Sequence, residues 1–132
     1  MNTKNPCYTI PEPSTAMYSD VKLEYPGGKL VLRFDYDRDG AIYKSGLKFI
    51  KVLAHRHFSD VLCTAWHIEG VYDTLTEIKE SSWLNELKAI AIENGSDSLN
   101  VHHYMIYFDG SGCYEIIAGS WEVLPEDEGA WE

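Results

Sequence analysis

HHYMIYFDGSGCYEIIAGSWEVL, residues 102–124, carries the strongest structural signal in this chain. Two runs of aromatic and β-branched residues stand on either side of the sequence Asp109-Gly110-Ser111-Gly112. Aromatic and β-branched side chains favour strands, and an Asp-Gly pair favours a tight turn between antiparallel strands. The stretch therefore predicts a C-terminal β-hairpin.

The segment SSWLNELKAIAIENG, which precedes this hairpin, predicts the main helix of the chain over about residues 83–94. The hydroxyl of Ser82 is placed to accept a hydrogen bond from the first turn, as N-cap residues do. Trp83, Leu84 and Leu87 belong to one apolar stripe with helical spacing. An amphipathic helix buries such a stripe, so we expect these three side chains to pack against a sheet.

Alternating apolar and polar residues predict strands earlier in the chain. DVKLEYPGGKLVLRFDY, residues 20–36, predicts a hairpin around Pro26-Gly27-Gly28, and YDTLTEIKE, residues 72–80, predicts a further strand. Residues 47–66 fit either a helix or a strand, and we favour a strand from about 47 to 58.

These elements predict an α+β fold with a mostly antiparallel sheet of about six or seven strands. The main helix falls between the middle strands and the hairpin at the C-terminal end. A chain of 132 residues is long enough for a single domain, 1–132, with a core of its own. Three prolines predict an irregular N-terminal arm over about residues 1–19, and a run of acids predicts a short acidic tail over about 125–132.

The net charge of −10 is unevenly distributed along the sequence. Residues 1–60 hold nine Lys/Arg and seven Asp/Glu, a balance of +2. Residues 61–132 hold two Lys/Arg and fourteen Asp/Glu, a balance of −12. An acidic surface repels nucleic acid and anionic membranes, so we expect neither as a partner. A basic protein is the partner that this charge favours.

The stretch FDYDRDGAIYKSG, residues 34–46, resembles the start of a calcium-binding loop. Asp35, Asp37 and Asp39 stand at the first, third and fifth positions of such a loop. Gly46 stands at the twelfth position, where calcium requires a bidentate carboxylate. Asp and Gly also suit a turn between strands, so the sequence predicts a turn and not a calcium site.

The five histidines include candidate ligands for a metal ion. His55 and His57 would point to the same face of a strand, and His67, or one of His102 and His103, could supply a third imidazole. A small-ligand-binding or metal-dependent enzyme that uses these histidines is therefore one hypothesis. Solvent-exposed or hydrogen-bonded histidines without a metal are the alternative.

No phosphate-binding loop and no nucleophile motif occurs in the sequence, so we predict no cofactor and favour binding over catalysis. Tyrosine and tryptophan are frequent at interfaces, and acids would complement a basic partner. The candidate partner-binding residues are Trp66, Glu77, Glu80, Glu86 and Trp131.

The segments YDTLTEIKESSWLNEL and HHYMIYFDGSGCYEIIAGSWEVL resemble small uncharacterised α+β proteins of bacterial genomes. The resemblance covers about half of the chain and includes no catalytic motif. In size, acidity and α+β character the chain is also similar to immunity proteins of polymorphic toxin systems. This likeness implies a small protein that binds and neutralises a basic partner.

Three cysteines without a CxxC pair favour a reducing compartment over a disulfide framework. The first residues show no apolar core of a secretory signal, and no run of about eighteen apolar residues predicts a membrane span. We therefore expect a cytoplasmic protein.

Overall fold

A computed structural model describes residues 3–96 and 99–131 of the chain. These residues form ten strands and two α-helices. In chain order the elements are β1 (Thr3–Thr9), β2 (Lys22–Glu24), β3 (Lys29–Arg38), β4 (Ala41–Ile50), β5 (Ala54–Phe58), α1 (Ala65–Ile68), β6 (Thr74–Lys79), α2 (Ser82–Glu93), β7 (His102–Phe108), β8 (Gly112–Ala118), β9 (Ser120–Val123) and β10 (Asp127–Glu128).

The strands form two antiparallel sheets. Sheet A has the order β1-β6-β7-β8-β5. Sheet B has the order β10-β4-β3-β2, and β9 also pairs with β4. The prediction of an antiparallel α+β fold with one main helix is confirmed. The prediction of six or seven strands in one sheet is wrong, because the described residues form ten strands in two sheets.

The main core lies between the two sheets. In β3 the alternation of KLVLRFDY sends every second side chain inward, as the strand period of two requires. Facing residues of β7 and β8 complete this core from sheet A. Its largest members are fully or nearly fully buried: Leu30, Leu32, Phe34, Tyr36, Leu47, Phe49, Tyr104, Ile106, Phe108 and Ile116.

A second apolar cluster lies on the outer face of sheet A, the face that points away from sheet B. Met105, Tyr107 and Cys113 are buried there together with Val71 and Ile78. The central strands β7 and β8 are thus covered on both faces. This double coverage explains why their sequences are almost continuously apolar.

The N-terminal arm is not irregular throughout, which corrects the prediction for residues 1–19. Thr3–Thr9 form β1, which pairs with β6 along the edge of sheet A. The pairing shifts register between Pro6 and Tyr8. Proline is tolerated on an edge strand or at a bulge, because its missing N–H need not face a neighbouring strand.

Residues 47–66 contain the end of β4, the whole of β5 and the start of α1. The prediction of one strand from 47 to 58 is wrong, because β4 ends at Ile50 and β5 begins at Ala54 in the other sheet. Lys51 between them has a φ of 58°, a left-handed conformation that turns the chain out of sheet B. The helical α1 begins only at Ala65. Among the described residues, no helix is long and apolar enough to span a membrane.

Candidate functional site

Helix α2 lies against the outer face of sheet A without burying any of its residues. Its position and length agree with the predicted helix at 83–94. The expected burial of Trp83, Leu84 and Leu87 is wrong, because all three side chains are only half-buried. The helix stands over a cleft, and its apolar stripe lines that cleft without filling it.

The cleft has a volume of about 210 Å³. Leu84, Leu87 and Ile90 line it from α2. Leu53, from the connection between β4 and β5, and Ile117 of β8 line it from the sheet side. Typical small-molecule sites measure roughly 300–1,000 Å³. This cleft is smaller.

Apolar side chains of the cleft and acidic side chains of α2 are exposed to solvent. Leu53 and Ile90 are each 53% exposed. Glu86 and Glu93 are exposed on α2 and form no ion pair with any described residue. Lys88, the basic residue of the helix, is half-buried. The cleft is thus apolar, and exposed acids stand on the same helix.

A chain of hydrogen bonds fixes the beginning of α2 on sheet A. Ser81 Oγ lies 2.7 Å from His103 Nδ1, and His103 Nε2 lies 2.7 Å from Glu115 Oε1. Arg56 donates to both carboxylate oxygens of Glu115, at 2.9 and 3.2 Å. The guanidinium of Arg56 also lies 3.9 Å from the ring centroid of Trp83. This series of contacts thus links β5, β7 and β8 to the first turn of α2.

These hydrogen-bonded residues have the order of a serine–histidine–carboxylate triad, but the serine serves as a helix cap. Ser81 Oγ accepts the Leu84 N–H at 3.0 Å, and Ser81 is only 3% exposed. The Glu115 carboxylate accepts from His103 Nε2–H, so in the neutral imidazole Nδ1 accepts the hydrogen of the Ser81 hydroxyl. A nucleophile must be reachable by its substrate. The arrangement is therefore a structural clamp.

Burial of Glu115 opposes its ionisation, but hydrogen bonds from His103 and Arg56 outweigh that effect and lower its pKa. Sequence analysis did not single out Glu115. It occurs as one acid within an apolar strand, and such an acid requires a partner if its face is covered.

The three candidate metal ligands do not converge. His55 contacts Tyr25 edge-on, with ring centroids 5.0 Å apart, and His57 stacks on Tyr114 at 4.2 Å. His67 packs 4.8 Å from the Phe58 ring. Phe58 follows His57 in β5, so its side chain points to the opposite face of the sheet. His67, which packs on Phe58, is therefore on that opposite face as well. Within the described residues, no group of three His, Cys, Asp or Glu side chains could hold a metal ion.

The aspartate-rich stretch contains a turn, as predicted, but Asp35 and Asp37 lie in the strand β3 that precedes it. Asp39 and Gly40 both have positive φ, at the tip of the hairpin between β3 and β4. Asp37 accepts the Gly40 N–H at 2.9 Å. Asp35 is fully buried and accepts the N–H groups of Tyr18 and Ser19, both at 2.8 Å.

The predicted partner-binding residues lie on different elements. Trp66 lies in α1 and is 36% exposed, with Lys4 Nζ 4.1 Å from its ring centroid. Glu77 in β6 is hydrogen-bonded to His102 and Lys79, each at 2.9 Å.

The remaining three lie near α2 or on sheet B. Glu80 connects β6 to α2, and Glu86 is in α2 itself. Trp131 is half-buried and donates its indole N–H to the carbonyl oxygens of Phe34 and Ser45, both at 2.8 Å. Of the predicted residues, Glu86 is the one that belongs to α2.

The charge asymmetry of the sequence is partly cancelled in space. Glu115 pairs with Arg56, and Glu126 pairs with Arg38 at 3.1 Å. These pairs arise because β8 lies beside β5, and the segment around β10 lies beside β4 and β3.

Comparisons of the chain with protein-family models, curated proteins and solved structures found no match.

Proposed function

We propose that this protein is a binding module that engages a basic protein surface through α2 and the cleft beside it. The observation that supports this proposal is a twelve-residue helix with no buried residue, whose apolar stripe lines an open cleft. Contiguous exposed apolar surface on a folded protein marks an interaction site. The unpaired carboxylates of Glu86 and Glu93 favour a partner of positive charge.

An immunity-type role is the form of this function that the likeness to immunity proteins favours. A small acidic protein would then neutralise a basic effector by covering its surface. The three free cysteines, Cys7, Cys63 and Cys113, suit a reducing cytoplasm as the place of binding.

The proposal is tested by recovering partners on the immobilised protein from a lysate of its native organism at low salt. Mass spectrometry identifies the retained proteins. The double variant Glu86→Lys/Glu93→Lys should lose a basic partner that the wild type retains. Asp127→Lys/Glu128→Lys is the matched control, because it changes the net charge by the same amount and both residues are exposed on β10 of sheet B.

Association kinetics then test the role of charge. Raising the salt from about 0.05 to 0.5 M shortens the screening length to a few ångströms, so association of the recovered partner should slow by about tenfold or more. A partner that is retained equally by the double variant and whose association rate does not depend on salt would refute the proposal.

A further inference from the structure

We infer that the partner presents a basic amphipathic helix, which lies along α2 and inserts apolar side chains into the cleft between α2 and sheet A. This inference rests on the proposed function, because it specifies which part of a basic partner the α2 surface recognises. It follows from the order of side chains around α2.

The acids lie beside the open flank of the cleft. Residues four and seven apart share one side of a helix, so Glu86, Ile90 and Glu93 form a continuous ridge. Ile90 lines the cleft and is 53% exposed. The backbone positions of Glu86 and Glu93 are about 10 Å apart along the axis, at the helical rise of 1.5 Å per residue, with Ile90 between them. The ridge thus alternates acid, apolar side chain and acid.

The basic residue of α2 does not interrupt this ridge. Lys88 stands two positions from Glu86 and from Ile90, and residues at that spacing do not face each other on a helix. It lies on the opposite flank of α2. A partner that approaches the Ile90 side therefore meets negative charge and apolar surface together.

A helix is the partner that this geometry fits. Apolar residues at helical spacing would enter the cleft between Leu53 and Ile90, and lysines or arginines two turns apart would reach Glu86 and Glu93. Ridges of side chains on two helices interlock in this way. The cleft, at about 210 Å³, has room for anchoring side chains.

The probe is a fluorescein-labelled synthetic helical peptide of lysines, with leucines at positions i, i+3, i+4 and i+7. Fluorescence anisotropy measures its binding to the whole chain. Two control peptides keep the positive charge: one replaces the leucines by serine, and the other interrupts the helix with two prolines. We expect the leucine peptide to bind tightest, since only it offers both the charge and the apolar ridge.

Two exposed isoleucines of α2 provide a matched pair of variants. Ile90→Ser should weaken binding of the leucine peptide by about tenfold, the effect of losing an interface anchor. Ile92→Ser should change it by less than about twofold, because Ile92, 63% exposed, points away from Ile90 and lies outside the cleft. Leu53→Ser should act like Ile90→Ser from the other wall. Circular dichroism checks that all three variants are folded.

The outcomes separate the inference from the proposed function. If the serine peptide binds as tightly as the leucine peptide, or the two isoleucine variants behave alike, the helix in the cleft is refuted, whereas binding by charge alone stands. If the proline peptide binds as well as the leucine peptide, the partner is not helical. If the leucine peptide fails to bind at millimolar concentration, the inference is refuted, and recovery of no basic protein from the lysate would refute the function as well.

Discussion

The carboxylate of Glu115 shows how strongly a single residue can depend on its neighbours. Its side chain is 1% exposed, yet it stays ionised because Arg56 and His103 donate to it. A buried carboxylate without such donors would be neutral. Its stabilising effect must therefore depend on pH.

The direction of that dependence follows from the lowered pKa of Glu115, which lies below the usual value of 4.5 in the folded protein. The stabilisation is fully present above the pKa of the unfolded chain and is lost as the pH falls through the folded pKa. We expect Glu115→Gln to reduce the free energy of unfolding by about 1–3 kcal/mol at neutral pH. The difference from wild type should narrow between about pH 5 and pH 3.

Urea unfolding followed by tryptophan fluorescence, at several pH values, measures this difference. Comparison with the variant isolates Glu115 from the other acids, which titrate in both proteins. A gap between the two proteins that stays constant down to about pH 3 would contradict the assignment of the lowered pKa to this residue.

Sequence analysis could place Glu115 on the outer face of β8, but it could not reveal that this face is covered. Strand alternation separates Glu115 from its inward-pointing neighbours Tyr114 and Ile116. Whether the other face meets water depends on a third layer, which α2 and Arg56 supply. A residue's burial is thus set by elements that lie far from it in the sequence.

At the scale of the element, the start of α2 differs by one residue from the prediction. Ser82 was the predicted cap, but the helix begins at Ser82 and Ser81 is the N-cap. Ser81 has extended backbone angles, φ −71° and ψ 122°, and its hydroxyl accepts the Leu84 N–H. Either serine satisfies the sequence preference for a cap, and only the contact with His103 distinguishes them.

The two adjacent serines allow a direct test of that distinction. Ser81→Ala should lower the free energy of unfolding by about 1–3 kcal/mol, because the cap is lost and His103 Nδ1 is left buried without a donor. Ser82→Ala should change it by less than about 0.5 kcal/mol, as an exposed helix position. Thermal or urea unfolding of both variants measures the effect. Equal losses would mean that the cap has been assigned to the wrong serine.

The elements that sequence analysis missed are those that depend on a neighbour. The long strands and α2 were predicted because many residues repeat one pattern. β9 and β10 are too short for a pattern to show, and β1 is a polar edge strand that exists through its pairing with β6. The cleft was missed for the same reason, because it depends on how Leu53 and α2 are placed relative to each other.

At the scale of the whole molecule, the first strand of the chain belongs to sheet A and the last strand to sheet B. β1 completes one edge of sheet A, and β10 pairs with β4 in sheet B. Beyond β10, Trp131 lies against sheet B with its backbone N–H 3.3 Å from the Asp35 carboxylate. Arg33 and Lys44 lie 4.6 and 5.2 Å from its ring centroid. The predicted acidic tail is thus part of the fold as far as Trp131.

These contacts change the role that we expect for Trp131, which the sequence suggested as a partner-binding residue. Trp131→Ala should lower the free energy of unfolding by about 1–3 kcal/mol, less than the 3–5 kcal/mol of a fully buried tryptophan. Trp66→Ala should have a smaller effect, since Trp66 lies on the surface of α1. Urea unfolding of the two variants measures the difference.

Binding provides the second half of this test. Trp131 lies on sheet B, whereas the proposed docking surface lies on the outer face of sheet A. The folded Trp131→Ala protein should therefore bind the leucine peptide with the affinity of the wild type, whereas Ile90→Ser should bind it more weakly. If Trp131→Ala kept full stability and abolished binding, Trp131 would belong to the interface. The docking surface would then have to be sought on sheet B, where the tail crosses Asp35 and Lys44.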